Sequence, residues 1–274
     1  MVGQKNEQDQ GAPRESHPAE YRMTAVGLTL GFLFGLGALG LDLGRSRTSD
    51  EEADRQVWSQ PIEFLSIWDS EPSTEKPVRS QHALGIDPRG APFVAYWRDR
   101  LAQTPPRVLN AYLSKPDLWK ADILPILATH GVPREFLYLA LLESGMDPQA
   151  QSPARAVGLW QFTGPTARLY GLVVEDHLDE RTDQLLATEA AGRYLRDLHK
   201  QFGSWELAAA AYNAGPGRVE RALTKTGAQS YWDLIEVGHL PAETRAYVPR
   251  FLALVELAAD RPATVTPTLA IVAD

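Results

Sequence analysis

Phe136-Leu137-Tyr138-Leu139-Ala140-Leu141-Leu142-Glu143-Ser144-Gly145 is a run of seven apolar residues closed by a carboxylate and two small residues. Phe136, Leu139, Ala140 and Glu143 share one face of a helix, and the other faces are apolar too. The spacing therefore predicts a helix buried on most sides. Pro133 sits one turn upstream and suits the first helical position. A carboxyl group at the tip of such a helix is poorly hydrated. Poor hydration disfavours the anion and raises the pKa, which suits a general acid. The plainer alternative is a solvated glutamate at a helix end, mildly opposed by the helix dipole. Taken alone, these residues leave both readings open.

Three further stretches bring amide and phenol groups. In Gly158-Leu159-Trp160-Gln161-Phe162, Gln161 lies between two aromatics. If the stretch is extended it points away from them, leaving Trp160 and Phe162 to the core. Ala211-Tyr212-Asn213-Ala214-Gly215 ends an alanine-rich helix that Ser204 can cap, with a tight exit at Gly215-Pro216-Gly217. Tyr212 and Asn213 read either as a buried tyrosine and a helix-end asparagine or as ligands for a sugar. In Glu243-Thr244-Arg245-Ala246-Tyr247-Val248, Tyr247 is either a packed aromatic with a satisfied hydroxyl or a site residue. Ser144 reads as a helix-end residue or as a partner of the Glu143 carboxyl. Asp147-Pro148 is turn chemistry rather than a second acid.

From about residue 91 onward the pattern is helical, and an all-α fold is expected. Gly164-Pro165 opens a short helix that Gly171 can close. Thr182 or Asp183 can cap a helix carrying Ala187, Ala191, Tyr194, Leu198 and Phe202 on one stripe, with Gly203 as its stop. Pro241 starts the last helix, which Pro249 is expected to kink. No run alternates convincingly as a strand, except within the short tail at 263–274. The 274 residues suffice for one domain with a core plus additional segments. A net charge of −8 without a long basic run argues against a nucleic-acid-binding surface. There is no cysteine, so neither disulfides, thiolate chemistry nor a lipidated cysteine is expected. The six histidines are scattered without metal-ligand spacing, and no metal or cofactor is expected.

Residues 1–22 form a polar tail and 23–42 an almost entirely apolar segment, uncharged from Met23 to Leu41. As a helix that uncharged stretch spans roughly 28 Å, close to the hydrocarbon core of a bilayer. A transmembrane anchor, a cleaved secretory signal and a buried core helix are the competing readings. The missing charge weighs against the last, and the long polar stretch before it against the second. Gly27, Gly31 and Gly35 share one helix face, the pattern by which membrane helices approach, so a homodimer through them is a further expectation. Residues 43–90, rich in charge and proline, read as a linker, with an apolar cluster at 58–68 that can dock on the domain.

Taken in order, the four motifs resemble the catalytic domain of the lytic transglycosylases, a soluble-lytic-transglycosylase-like domain on a goose-type lysozyme fold. Leu240-Pro241, Pro249 and Leu178-Asp179-Glu180-Arg181-Thr182-Asp183 resemble the membrane-bound D branch in particular. The resemblance covers residues 136–252, and the catalytic domain is expected over 91–262. It implies a single catalytic acid, Glu143, that cleaves the β-1,4 bond between N-acetylmuramic acid and N-acetylglucosamine in peptidoglycan. The product carries a 1,6-anhydro end. Ser144, Ser152, Gln161, Tyr212, Asn213 and Tyr247 are the implied substrate-binding residues. Peptidoglycan strands and, through 23–42, the cytoplasmic membrane are the expected partners, with the domain in the periplasm. The sequence departs from the D branch in carrying neither a lipidated cysteine nor C-terminal wall-binding repeats. A muramidase of the same fold and a non-catalytic glycan-binding scaffold are the competing functions.

Overall fold

The computed structural model describes residue 84 and residues 87–261. The tail at 1–22, the segment at 23–42 with Gly27, Gly31 and Gly35, the cluster at 58–68 and the tail at 263–274 lie outside the described residues. Among the described residues no helix is long and apolar enough to cross a membrane.

Ten helices follow in chain order among the described residues: α1 (Ala91–Ala102), α2 (Pro106–Ser114), α3 (Lys120–Thr129), α4 (Leu137–Ser144), α5 (Gly164–Leu169), α6 (Gln184–Phe202), α7 (Trp205–Ala214), α8 (Pro216–Thr226), α9 (Tyr231–Glu236) and α10 (Ala242–Ala259). The expected all-α architecture holds with one correction. β1 (Val174–Glu175) and β2 (Leu178–Asp179) pair antiparallel as a small hairpin between α5 and α6. Two-residue strands are too short to display alternation, so the sequence pattern carried no sign of them.

Helix α4 is the centre of the molecule. Leu137, Leu139, Ala140, Leu141, Leu142, Glu143 and Ser144 are all buried, and α10, α3 and the turn after α2 surround it. Each buried leucine contributes about 1.5–3 kcal/mol relative to an exposed one. The helix starts later than expected: Pro133 opens a 3-10 turn (Arg134–Phe136), with the Phe136 N–H donating to the Pro133 carbonyl at 3.0 Å. Gly145 closes α4 with a left-handed φ of 64°. Two caps match the sequence reading. The Asp183 carboxylate accepts from the Leu185 and Leu186 N–H groups, and the Ser204 hydroxyl from Glu206 and Leu207.

Helix α10 runs through Pro249 without a break in its assignment. A proline there leaves the carbonyl four residues back, that of Arg245, without its usual N–H. Tyr231 of α9 supplies the replacement, its hydroxyl donating to the Arg245 carbonyl at 2.9 Å.

The last residues of the expected linker are docked on the helical body. Leu84 is buried, Arg89 pairs with Asp87 and Asp233, and a Cβ at Gly90 would fall 2.1 Å from the Trp232 ring. Gly158 is more constrained still. Its φ is +84°, and a Cβ there would lie 1.8 Å from the Arg181 carbonyl oxygen. Gly158→Ala is expected to lower stability by about 2–4 kcal/mol, from strained backbone and overlap together. Urea unfolding measures this, and a midpoint equal to that of the parent would mean that the loop does not lie on Arg181.

Candidate active site

The Glu143 side chain emerges at the C-terminal end of α4 and is only 6% exposed. The Tyr247 hydroxyl, from α10, donates to its Oε1. Burial pushes the Glu143 carboxyl up to about 8 from 4.5, the Tyr247 hydrogen bond opposes that rise, the Glu243 carboxylate adds to it and Arg250 opposes it. Tyr247 is itself buried and its phenol is held well above its ordinary range, first by burial and then by the neighbouring Glu143 charge. Over most of the neutral range the pair is therefore a carboxylic acid bonded by a phenol, a proton donor in a poorly hydrated place.

The loop at 150–162 is tied to α4, α7 and Arg181 by hydrogen bonds. The Ser144 hydroxyl points away from the carboxyl of Glu143, donating to the Leu159 carbonyl at 2.9 Å and accepting from the Asp147 N–H at 3.2 Å. It acts as a clip between the end of α4 and the loop, the helix-end alternative of the sequence reading. Arg181 closes the loop from the other side. Its Nη1 donates to the Arg155 carbonyl at 2.9 Å and to the Phe162 carbonyl at 3.0 Å, while Asp179 holds Nε and Nη2 at 2.8 and 2.6 Å. Trp160 and Phe162 are core residues, and the Trp160 indole N–H donates to Thr188 at 2.9 Å.

Gln161 stands between them at φ 50°, a left-handed conformation unusual for its type. Its amide nitrogen donates to the Gly158 and Ala150 carbonyls at 2.8 and 3.2 Å. Its amide oxygen has no hydrogen-bond donor among the described residues and is available to a ligand. Met146 and Arg155 also have positive φ values, 64° and 61°. These are the three non-glycine residues of this kind among the described residues, and they flank the same site.

The Tyr212 hydroxyl donates to the Trp160 carbonyl at 2.7 Å, fixing α7 against the loop. Its phenol is shifted far upward, chiefly by burial and next by the Glu143 charge, so it remains neutral. Asn213 bridges α7 to α10. Its amide oxygen accepts from the Thr244 hydroxyl at 2.9 Å, and its side chain lies near enough to the Glu243 carboxyl to oppose the rise that burial gives that group's pKa. The Ser152 hydroxyl accepts from the Ala156 N–H at 2.9 Å within a tight turn. The structure thus gathers Glu143, Tyr247 and Tyr212 against the Gln161 loop, joins Asn213 to α10, and gives Ser144 and Ser152 no hydrogen bond to Glu143. No group of acidic and histidine side chains among the described residues is arranged to hold a metal ion.

Two charged neighbours of Glu143 escaped the sequence reading. Glu243 is half-buried with its carboxyl pKa raised by burial, and Arg250 lies with its guanidinium 5.1 Å from the Trp97 ring centre. Both fall on the Tyr247 face of α10, four residues before it and three after, so helical spacing could have found them.

Residues 126–235 match the model of the family described as the Transglycosylase SLT domain. That span holds the first three motifs and stops before Glu243 and Tyr247. The resemblance to the lytic murein transglycosylases is thereby shown for this part of the chain. The chain is similar to the membrane-bound lytic murein transglycosylase D of Escherichia coli K12, 40% identical over 131 residues, which are 46% of this chain and 28% of that protein. It is also similar to the soluble lytic murein transglycosylase of the same organism, 31% identical over 130 residues, 44% of this chain and 20% of that protein. The chain thus spans under a third of the length of either relative. Among solved structures, the 70 kDa soluble lytic transglycosylase of Escherichia coli superposes with a TM-score of 0.45 at 23% identity, covering 64% of this chain and 31% of that one.

The folded-state pKa of Glu143 lies above the unfolded value of 4.5, so folding favours the protonated form. Its contribution to stability is complete below pH 4.5 and is lost as pH rises through about 8. Glu143→Gln is expected to match the parent near pH 4 and to exceed it in stability at pH 9 by on the order of a few kcal/mol. Removing the opposing hydrogen bond with Tyr247→Phe is expected to raise the Glu143 pKa further. Carboxyl carbon NMR titration and denaturation at the two pH values measure both effects. A Glu143 that titrates near 4.5 would rule out the buried acid.

Proposed function

We propose that this protein is a peptidoglycan lytic transglycosylase with a lysozyme-like catalytic domain at 91–262. Glu143 would protonate the glycosidic oxygen between N-acetylmuramic acid and N-acetylglucosamine as C1 becomes oxocarbenium-like. The resulting carboxylate then takes the proton of the muramic C6 hydroxyl while that oxygen closes on C1. One C–O bond breaks, one forms, no water is consumed, and the acid is regenerated. The observation that carries the reading is the buried Glu143 carboxyl with a pKa near 8, bonded by Tyr247. A group that must give a proton and later take one works best with a pKa near the ambient pH.

The remaining site residues take supporting roles. The amide oxygen of Gln161 can accept from an N-acetyl N–H or a sugar hydroxyl. Tyr212 fixes the loop that carries Gln161, Asn213 ties α7 to α10 through Thr244, and Ser144 and Ser152 shape the loop ends. One observation favours a second reading. Glu243 is close enough to raise the Glu143 pKa, and a second carboxylate is what a hydrolytic muramidase uses to activate water or form a covalent intermediate.

For placement, the uncharged stretch within 23–42 supports an inner-membrane anchor with the domain in the periplasm, where the substrate lies, and a linker at 43–90. The similarity to an E. coli enzyme described as membrane-bound agrees with envelope association. Tethering would raise the local concentration near the wall. Gly27, Gly31 and Gly35 would allow two spans to approach.

Mass spectrometry of purified sacculi digested by the protein is expected to give 1,6-anhydro ends, one water lighter than hydrolytic products. Glu143→Gln is expected to cut turnover at least about a thousandfold, and Gln161→Ala about tenfold or more. Reducing muramic ends would establish the muramidase, and an active Glu143→Gln would end both readings. For topology, protease added to spheroplasts is expected to remove the domain. Protection until the cells are lysed would place it inside.

A further inference from the structure

Tyr212 is one end of a row of aromatic rings that leads away from Glu143. Tyr194 packs against it with centroids 5.2 Å apart, and Tyr170 packs against Tyr194 at 4.9 Å. Neither outer tyrosine belongs to the four motifs: Tyr194 comes from α6 and Tyr170 from the turn after α5. Beside them lies a cavity of about 110 Å³ lined by Leu169, Leu198, Tyr170, Tyr194, Asp197 and Gln201. Pro216, which directly follows the third motif in the sequence, also borders it.

Tyr194 is 9% exposed, yet its hydroxyl has no hydrogen-bond partner among the described residues. Tyr194 is among the residues that line the cavity. A phenol buried to this degree ordinarily has a partner. Asp197 presents a carboxylate next to the Tyr170 phenol, paired on its other side with Arg196 at 2.9 Å. Leu198 forms an apolar floor, while Leu169 is 66% exposed at the rim.

The lining asks for a small group with an apolar end, one acceptor and one donor. An acetamido group has all three. Its methyl can lie on Leu198 and Leu169, its carbonyl can accept from Tyr194, and its N–H can donate to Asp197.

We infer that this cavity is a subsite for the N-acetyl group of a sugar further along the glycan strand from the cut bond, with Tyr194 and Asp197 as its specificity-determining residues. This rests on the transglycosylase reading for its substrate class. The subsite reads the strand at a distance from the reacting atoms and accounts for groups that the proton chemistry does not use.

The test uses the full chain in a Glu143→Gln background, titrated calorimetrically with β-1,4 N-acetylglucosamine dimers and hexamers and with the N-deacetylated hexamer. The parent is expected to bind the acetylated hexamer more tightly than the deacetylated one. Tyr194→Phe and Asp197→Asn are each expected to weaken the acetylated hexamer about three- to tenfold, the range for one net hydrogen bond. They should leave dimer binding and thermal midpoint unchanged, which excludes a folding defect. Equal affinity of parent and variants for the acetylated hexamer would overturn the subsite, as would equal losses for the acetylated and deacetylated hexamers. Sacculus digestion by the unmutated chain separates the two ideas. Anhydro products with unaltered hexamer binding would sink the subsite alone, whereas Tyr194-dependent hexamer binding without any product would sink the enzyme reading alone.

Discussion

The structure depends on keeping one carboxyl group away from water at the end of its most buried helix. A lone carboxylate in such a place is costly, and the protein meets the cost by holding the group protonated and giving it one phenol partner. That arrangement requires α4 to be enclosed on every side, and α3 and α10 and the turn after α2 enclose it. The apolar residues of 136–142 thus serve two ends. They supply core area, and they set the acidity of the group that follows them.

Around this acid the chain departs from relaxed geometry. Met146, Arg155 and Gln161 all adopt left-handed backbone conformations, which cost on the order of 1–3 kcal/mol each for residues with side chains. The surrounding contacts over-determine the loop that contains two of them. Arg181 bonds two of its carbonyls, Ser144 bonds a third, Tyr212 a fourth, and Gly158 lies directly on the Arg181 backbone. Because every one of these bonds ends on backbone, none of them occupies the amide oxygen of Gln161, which keeps an acceptor for a ligand.

How far the sequence discloses this varies by residue. The burial of Glu143 is legible because the run before it is apolar on all faces, and the caps at Asp183 and Ser204 are legible because their chemistry is local. Trp160 and Phe162 are core residues as the sequence suggests, but alternation presumes an extended stretch, and the chain instead turns there with Gln161 at φ 50°. The short hairpin is not legible, since its ladder has only two registered pairs. Nor is the role of Ser144, because its choice between the carboxyl and the Leu159 carbonyl is made by a loop fifteen residues away. Glu243 belongs to the fourth motif and Arg250 lies just beyond it, and only the packing of α10 against α4 brings both charges near Glu143. Tyr170 and Tyr194 lie outside any motif, and only packing brings their rings into line with Tyr212.

The proline within α10 has a consequence for where the reactive centre sits. Glu243 and Tyr247 lie upstream of Pro249 and Arg250 lies just beyond it, so this one helix carries both the partner of the acid and the charges that tune it. At that point the helix lacks its own ladder bond, and Tyr231 acts as a splint from a different element. The alignment of donor and acid is therefore inherited in part from a fully buried tyrosine of α9, so the acidity of the site and the packing of the core are set at one joint.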